Sequence, residues 1–406
     1  MIKKIIIITD YPFNKRDYDR FGVATLQKDG FEVEVWDITQ ALYKNFSVNE
    51  TLPENMNFNR IYSFGNKTAI AEAISHLDEP YIAICIVPYT TSTFFLFHAL
   101  SRKRIKYCVL QSASFPNPND QIRFRRNTIS RLIKRALSLH PSDIVRNVCR
   151  TLLIRYYMLF RINSAFVIIL VGGEKSRDIK LYPVDDNTHF LWTHALDYDL
   201  YLEENKEGSQ ENLKGVVFLD EYYPFHPDFV NMGMESPILP EEYYPKMCAF
   251  FSRLEKEWNC KITIAAHPRS HYEYHPDYFE GRPIIKGETI RLVRESQFVI
   301  THMSTSLNLA VLYKKPLLFV TMDKLQTMDT GKFIPGIYID RVASELHCTP
   351  INLDQFEDLS KDDLLHTDLA AYDEYQSNFI KKKGTPELPL WEIFSSFIKS
   401  SDINSE

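Results

Sequence analysis

Residues 298–322 read FVITHMSTSLNLAVLYKKPLLFVTM, a strand-like run, a helix-like run and a second strand-like run in immediate succession. The flanking runs FVITHM and PLLFVTM are short and apolar, which is typical of strands buried on both faces. The central run STSLNLAVLYK repeats its apolar residues at helical spacing. A strand, a crossover helix and a second strand form a parallel unit, so this stretch predicts an α/β fold.

The same alternation continues on both sides of this unit. In the second half of the chain, strand-like GVVFLDE (215–221) and KITIAAHP (261–268) flank helix-like YYPKMCAFFSRLEKEW (243–258), and helix-like TIRLVRES (289–296) follows. The first half carries six strand-like runs, which are KKIIIIT, FEVEVWDI, RIYSF, YIAICIVP, KYCVLQS and AFVIILVG. A chain of 406 residues is too long for one ordinary core. We therefore expect two Rossmann-like α/β domains, each with a doubly wound parallel sheet.

The expected domain boundaries follow composition. Residues 1–196 form an N-terminal domain that includes a basic helical insertion at about 120–162. Residues 197–213 belong to the acidic polar stretch DYDLYLEENKEGSQEN, which offers little to bury and therefore predicts a linker. Residues 214–375 form a C-terminal domain, and residues 376–406 form two terminal helices.

Composition excludes several classes of protein. The hydrophobic content of 45% and the charged content of 25% are those of a soluble globular protein. Six cysteines are scattered without a CxxC pair, which indicates reduced core thiols in a cytosolic protein, not disulfides or a zinc site. The apolar run within MIKKIIIITDYPF is too short for a signal-peptide core. No GxGxxG, Walker, HExxH or GxSxG pattern supports a dehydrogenase, an NTPase, a metalloprotease or a serine hydrolase.

The net charge of −6 conceals a basic segment that runs from Arg102 to Arg161. It holds fourteen Lys or Arg residues against two acidic residues, and its apolar residues recur at helical spacing. Basic amphipathic helices of this kind lie on anionic membrane surfaces without spanning them. Arg155 and Arg161 interrupt its most apolar part, which argues against a transmembrane helix. We expect an anionic membrane surface as the partner and no nucleic acid; the alternative is a solvated basic face.

Three polar clusters each follow a strand-like run in the second half of the chain. They are Asp220-Glu221 after GVVFL, His267-Pro268 after KITIAA, and Ser304-Thr305-Ser306 after FVITHM. Because the carboxyl ends of parallel strands open into one crevice, the clusters are expected to converge on a single ligand. An acid, an imidazole and hydroxyl groups at a helix N-terminus can together move a proton and hold a phosphate.

Each cluster also has a purely structural interpretation. We prefer Asp220 to Glu221 as the catalytic acid, because Glu221 points the other way if the strand continues. His267 is either a phosphate ligand or a turn histidine, and the hydroxyl run either binds an anion or only caps the helix. Arg269 either contacts the carboxylate or phosphate of a donor substrate or lies at the surface.

Other polar residues near strand ends are weaker candidates. Glu174 follows AFVIILV and two glycines, and Asp10 follows the first strand, so both are candidates for acceptor recognition or catalytic assistance. His226 and Asp228 follow the acid pair, and for these residues we prefer a role within a turn. The only DxD motif, at 197–199, lies in the predicted linker with no strand before it, so we expect no metal site.

The order of these clusters resembles that of the bacterial sialyltransferases of the glycosyltransferase B (GT-B) fold. It is also similar to that of the related bacterial transferases that use CMP-activated Kdo. The resemblance covers about residues 214–320 and departs from the usual sialyltransferase pattern at Tyr222, where a glycine is typical. It implies two Rossmann-like domains facing a central cleft, with C-terminal helices that cross back to the N-terminal domain.

The resemblance also implies roles for individual residues. Asp220 is the catalytic base, or the nucleophile of a retaining enzyme, and His267 binds the phosphate of CMP and is a possible acid. Ser304, Thr305 and Ser306 cradle the same phosphate. No cofactor or metal is expected, because an imidazole and a helix N-terminus can stabilise the single phosphate of a CMP leaving group.

The expected function is the transfer of a sugar acid from a CMP donor to a bacterial surface polysaccharide or lipopolysaccharide. The sugar acid is Kdo or one of the sialic, pseudaminic or legionaminic type, and the enzyme lies in the cytoplasm, peripherally associated with the inner face of the cell membrane. A GT-B enzyme that uses a UDP- or GDP-sugar, or a nucleotide-sugar epimerase, is the nearest alternative. A non-catalytic glycan- or membrane-binding protein on a transferase scaffold is the alternative from another class.

Overall fold

The chain forms two compact α/β units in a computed structural model. The structure describes residues 2–43, 58–77, 80–112, 115–116, 141–178, 180–206, 215–226, 229, 235–236, 238–327, 335–356 and 360–400. Of these described residues, those within 2–112, 141–196 and 381–400 belong to the first unit, and those within 115–116 and 197–380 belong to the second.

The first unit is built on a seven-stranded parallel sheet with the order β3-β2-β1-β4-β5-β6-β7. Its strands are β1 (Lys4–Thr9), β2 (Glu32–Asp37), β3 (Ile61–Ser63), β4 (Tyr81–Cys85), β5 (Lys106–Ser112), β6 (Val167–Val171) and β7 (His189–Trp192). Its helices are α1 (Lys15–Arg20), α2 (Val23–Lys28), α3 (Thr39–Leu42), α4 (Lys67–Ser75), α5 (Phe94–Lys103), α6 (Pro141–Arg155) and the C-terminal helix α15 (Leu390–Lys399).

The second unit repeats this plan with a six-stranded parallel sheet in the order β10-β9-β8-β11-β12-β13. Its strands are β8 (Val216–Leu219), β9 (Ile262–Ala266), β10 (Ile284–Lys286), β11 (Val299–Thr301), β12 (Leu317–Thr321) and β13 (Ile351–Asn352). Its helices are α7 (Leu196–Lys206), α8 (Pro240–Trp258), α9 (Thr289–Glu295), α10 (Leu307–Leu312), α11 (Asp323–Thr327), α12 (Pro335–Glu345), α13 (Lys361–Leu364) and α14 (Leu369–Tyr375). The strand order reverses once in each sheet, as in a doubly wound fold.

The isoleucine run of β1 shows why the middle of a central strand is apolar in this fold. Ile6 and Ile8 belong to the hydrophobic core on one face of the first sheet, whereas Ile5 and Ile7 belong to the core on the other face. Because helices cover both faces of a parallel sheet, successive residues of such a strand are buried on alternating faces. The predicted α/β fold with two doubly wound sheets is therefore confirmed.

Helix α7 occupies part of the segment that we predicted as a linker. Residues 197–206 are helical, and Asp197 and Asp199 lie in the first turn, where acidic residues stabilise the helix dipole. Tyr198 is buried, and the ring of Tyr201 packs against that of Tyr313 at 5.1 Å. The helix has no apolar stripe, so periodicity does not reveal it.

Two further expectations need correction. The helix after β11 begins at Leu307, not at Ser304, and the hydroxyl run precedes it as a turn. The short strands β7, β10 and β13 were not predicted, because each has too few residues for a clear period.

The predicted basic insertion at 120–162 lies outside the described residues as far as position 140. From there it continues as α6 and a 3₁₀ turn, Tyr157–Phe160.

The described residues show the state of the cysteines and the character of the helices. All six cysteines are free thiols, and burial raises the pKa of Cys85, Cys108 and Cys248. No helix in the described ranges combines the length and the apolar character that crossing a membrane requires.

The C-terminal helix α15 is an integral part of the first unit. Trp391 is 3% exposed, and its indole N–H donates a hydrogen bond to the carbonyl of Arg20 at 2.8 Å. Gly22 lies under the same ring with φ of +59°, and a Cβ at this position would lie 2.6 Å from the Trp391 Cβ. The close approach of Trp391 therefore requires glycine at position 22.

Replacing Gly22 with alanine should destabilise the protein through this contact. We expect Gly22→Ala to lower the free energy of unfolding by about 2–4 kcal/mol, because it combines backbone strain with overlap against a buried ring. Urea unfolding of the full chain measures the loss. Gly30→Ala is the matched control, since Gly30 also has positive φ, +92°, but a Cβ added there would meet no atom within 4 Å. Equal losses in both variants would contradict the role of Trp391.

Candidate functional site

The carboxyl ends of three neighbouring strands of the second unit carry the acid pair, the histidine and the hydroxyl run. β8 lies between β9 and β11, and its last residue, Leu219, is level with Ala265 on one side and Thr301 on the other. The strand order reverses between β8 and β11, and open α/β sheets bind ligands at such a point. The second sheet thus brings the three predicted clusters to one edge.

Asp220 ties the end of β8 to the loop that follows β9. Its Oδ2 accepts hydrogen bonds from the backbone N–H of His267 at 3.3 Å and from the hydroxyl of Tyr272 at 2.9 Å. The residue is only 4% exposed. Burial raises the pKa of Asp220 to about 6, although the hydrogen bonds, including one from the Tyr222 N–H, oppose the rise. Asp220 therefore fixes the position of His267.

Glu221 makes the matching connection on the other side of β8. Its Oε1 accepts a hydrogen bond of 2.7 Å from the backbone N–H of Met303, immediately before the hydroxyl run. The residue remains partly exposed. Burial of the carboxyl raises the pKa of Glu221 to about 7, and the nearby charge of Asp220 adds to the rise. A carboxyl that titrates near neutrality is suited to proton transfer.

The backbone at Tyr222 explains why both carboxyls face the site. β8 ends at Leu219, so the alternation that would turn Glu221 away does not continue, and that reason for preferring Asp220 does not hold. Tyr222 has φ of 53° and ψ of 36°, in the left-handed region that glycine adopts most easily. Its N–H donates a hydrogen bond to Asp220 Oδ1 at 2.9 Å, and its ring packs edge-on against Tyr272 at 5.2 Å. These contacts stabilise a conformation that costs a tyrosine about 1–2 kcal/mol.

His267 follows the last residue of β9, and its ring takes part in the turn of the next loop. The backbone N–H of Arg269 donates a hydrogen bond to His267 Nδ1 at 3.2 Å. An acceptor role for Nδ1 places the proton of the neutral ring on Nε2, which can then donate to a ligand. Both His267 and Arg269 are half-buried.

His226 lies beside His267, although the sequence favours a turn role for it. The two ring centroids are 4.8 Å apart with an interplanar angle of 60°. Two rings at this separation are close enough to contact the same small ligand. The structure therefore adds His226 to the candidate site, whereas Asp228 lies outside the described residues.

Ser304, Thr305 and Ser306 form the turn that precedes α10. Ser306 occupies the N-cap position with a helical φ of −66° and makes no side-chain capping bond within the described part of the chain. Ser304 Oγ accepts a hydrogen bond of 3.3 Å from the Ser306 N–H. Thr305 is exposed, and Ser304 and Ser306 are half-buried. Helix capping alone therefore does not account for the hydroxyl run, which reaches solvent at the edge of the sheet.

A layer of buried tyrosines behind the acid pair escaped the sequence-based prediction. The hydroxyl of Tyr244, on α8, lies 3.2 Å from that of Tyr272, which in turn donates to Asp220. Tyr272 is 52 positions from Asp220 along the chain. The only signal was the aromatic segment HYEY at 271–274, which does not by itself identify a partner for a carboxylate.

A second pair of buried polar groups supports the end of β11. His302 Nδ1 donates a hydrogen bond to the carbonyl of Val320 at 2.7 Å, and its Nε2 lies 3.0 Å from the hydroxyl of Tyr243. Burial lowers the pKa of His302 to about 4, so the ring is neutral at physiological pH. Its Nε2 therefore accepts a hydrogen bond from the hydroxyl of Tyr243. His302 is therefore a fixed structural group next to the site.

The remaining predicted residues occupy other places. Glu174 is the exposed first residue of a 3₁₀ turn after β6, in the first unit. Asp10 follows β1 in the same unit, where burial raises its pKa. Asp197 Oδ2 accepts a hydrogen bond of 3.2 Å from the side-chain amide of Asn308, so this acid of the DxD motif braces α10.

A solved glycosyltransferase structure shares this architecture. CalG4, the calicheamicin glycosyltransferase, aligns with a TM-score of 0.52 over 98% of this chain and 98% of its own, at 12% identity. The wall teichoic acid polymerase TagF aligns with a TM-score of 0.49 over 99% of this chain and 89% of its own, at 12% identity. MurG from Acinetobacter baumannii aligns with a TM-score of 0.43 over 97% and 98%, at 10% identity. No protein-family model and no curated protein sequence matches the chain. The two sheets and the likeness to CalG4 show a GT-B fold.

The pH dependence of stability should report the burial of Glu221. Its pKa rises from 4.5 to about 7 on folding, so the folded state binds this proton more tightly than the unfolded chain. The corresponding stabilisation is complete below pH 4.5 and is lost as the pH rises through about 7. In Glu221→Gln, which keeps an acceptor for Met303, we expect this decline in unfolding free energy to shrink by about 1–3 kcal/mol.

Urea unfolding between about pH 4 and about pH 8 measures this difference. Glu241→Gln is the matched control, because Glu241 is an exposed glutamate of the same unit. Its pH profile should follow that of the unmodified protein. A profile of Glu221→Gln parallel to that of the unmodified protein would show that the Glu221 carboxyl does not titrate abnormally.

Proposed function

We propose that this protein is a cytoplasmic glycosyltransferase that moves a 2-keto-3-deoxy sugar acid from a CMP donor to a bacterial surface polysaccharide or lipopolysaccharide acceptor. The sugar acid would be Kdo or one of the sialic, pseudaminic or legionaminic type. The observation that carries the proposal is a pair of hydrogen bonds in the second unit, in which backbone N–H groups donate to two neighbouring carboxyl groups. Asp220 accepts a hydrogen bond from the backbone N–H of His267, and Glu221 accepts one from the backbone N–H of Met303. An acid, an imidazole and a turn of hydroxyl residues therefore lie at one edge of the sheet.

The polar groups at this edge match the needs of a monophosphate leaving group. The Nε2–H of His267 and the hydroxyls of Ser304, Thr305 and Ser306 are hydrogen-bond donors, and Arg269 adds a positive charge. Departing CMP gains negative charge on one phosphate, and preorganised donors lower the barrier by stabilising that charge. His226, packed on His267, would complete the anion site.

Glu221 is our proposed base, with Asp220 as the group that positions His267. The acceptor hydroxyl attacks the anomeric carbon and gives its proton to the Glu221 carboxylate as the new carbon–oxygen bond forms. The bond between the anomeric carbon and the phosphate oxygen breaks, and its electron pair leaves on CMP. Glu221 has the higher pKa, about 7, and the residue is partly exposed, whereas Asp220 is only 4% exposed and both of its oxygens accept hydrogen bonds from the protein. Glu174, in the first unit, is our candidate for acceptor recognition.

Nucleotide binding tests the donor class. CMP at about a hundredfold excess over its dissociation constant should stabilise the full chain by about 2.7 kcal/mol, read as a rise in melting temperature. UDP and GDP should have little effect. His267→Ala should abolish the response to CMP, whereas the control His271→Ala, which changes an exposed histidine on the same loop, should retain it.

Two other outcomes would contradict the proposed donor. A preference for UDP or GDP would favour a GT-B enzyme that uses a UDP- or GDP-sugar. A protein that responds to no nucleotide would instead fit a non-catalytic glycan-binding role.

Substitution of the two acids tests their separate roles. Glu221→Gln should lower the kcat of transfer from CMP-sialic acid or CMP-Kdo by about 10²–10⁴-fold while leaving CMP binding intact, because it removes only the base. Asp220→Asn should weaken CMP binding as well, because it disturbs the support of the His267 loop. Release of CMP with and without acceptor measures turnover. The assignment would be reversed by an Asp220→Asn variant that binds CMP normally but does not turn over, alongside an active Glu221→Gln variant.

A further inference from the structure

Large apolar side chains are exposed along α6 and the 3₁₀ turn that follows it. Seventeen large hydrophobic residues of the described chain are exposed, and seven of them lie between positions 145 and 160. They are Val145, Val148, Leu152, Tyr156, Met158, Leu159 and Phe160, and Met158 and Leu159 are the most open at 72% and 79%. Scattered exposed hydrophobic residues are ordinary, but a contiguous group of this kind marks an interaction surface.

The spacing of three of these residues places them on one side of α6. Val145, Val148 and Leu152 recur at intervals of three and four, so they form a stripe along α6. A different side of the same segment, with Leu153, Ile154 and buried Tyr157, packs against the core of the first unit. A surface helix normally turns polar residues outward opposite its core-facing side. Here an outward stripe is apolar as well, so core packing does not account for it.

Every charged residue between positions 145 and 163 is positive, and Asp143 lies two positions before Val145 on α6. Residues 145–163 contain no acidic residue, and Arg155 and Arg161 are exposed within them. The C-terminal end of α5 is joined to this segment, because Ser101 Oγ accepts a hydrogen bond of 2.9 Å from the Asn163 N–H. Arg102 and Arg104, next to Ser101, are also exposed. The apolar stripe is thus bordered by arginines.

We propose that α6 and the 3₁₀ turn dock this protein on an anionic lipid bilayer, with Met158 and Leu159 inserted and the arginines at the headgroups. Apolar side chains ringed by arginine match the boundary between anionic headgroups and acyl chains. A second copy of the chain is a poorer partner for the same face, because a two-fold interface would bring like charges together. The fifteen-residue helix is too short to span a hydrocarbon core of about 30 Å. This proposal does not depend on which donor sugar the second unit binds.

Vesicle flotation of the full chain tests this surface. The protein should float with vesicles that contain phosphatidylglycerol, bind weakly to pure phosphatidylcholine vesicles, and be released by high salt. Met158→Ser with Leu159→Ser should weaken binding about tenfold or more, since it removes two inserted side chains. Arg155→Gln with Arg161→Gln should weaken binding to the anionic vesicles only. Peptides that cover 145–163 should gain protection from hydrogen exchange when vesicles are added.

The control is Leu239→Ser with Leu369→Ser, which removes two exposed leucines of the second unit and should leave vesicle binding unchanged. Because Met158 and Leu159 are exposed, their replacement should leave the melting temperature unchanged, and the hydrogen-exchange result does not depend on any variant. The proposal is wrong if the unmodified protein does not float with anionic vesicles, or if the Met158 and Leu159 variant floats equally well. It is also wrong if the protein forms a concentration-dependent dimer that this variant dissociates while vesicles leave 145–163 unprotected.

Discussion

Two adjacent carboxyl groups hold the functional edge of the second sheet together. Asp220 accepts the N–H that begins the loop after β9, and Glu221 accepts an N–H after β11, so the end of β8 is tied to both neighbouring strands. The tautomer of His267, the turn of hydroxyl residues and the left-handed conformation of Tyr222 all depend on this arrangement. The sheet alone would align the strands but would leave the loops after them unrestrained.

The same arrangement explains the raised pKa values of both acids. Each carboxyl is removed from water, which raises its pKa, and each recovers only part of the lost solvation through hydrogen bonds from the protein. Tyr272 and Tyr222 both donate hydrogen bonds to Asp220, whose pKa rises to about 6, whereas the pKa of Glu221 rises to about 7. Two neighbouring acids of similar chemistry thus titrate at different pH.

The two units of this GT-B fold carry different kinds of surface. The second unit concentrates polar side chains at the reversal point of its sheet, where a small anionic ligand can be held. The first unit presents an apolar stripe with arginines on α6 and the turn after it.

The sequence by itself determined the α/β class, most strands and helices, and the three clusters at strand ends, because periodicity and strand-end position are local properties. It could not reveal α7, whose residues have no apolar stripe, or the role of Tyr272, which lies 52 positions from Asp220. It also could not show that the apolar residues of α6 face outward, because an apolar stripe has the same pattern on either side of a helix. Only the tertiary structure decided how far each carboxyl is removed from water, since solvation depends on every neighbour a group meets in space.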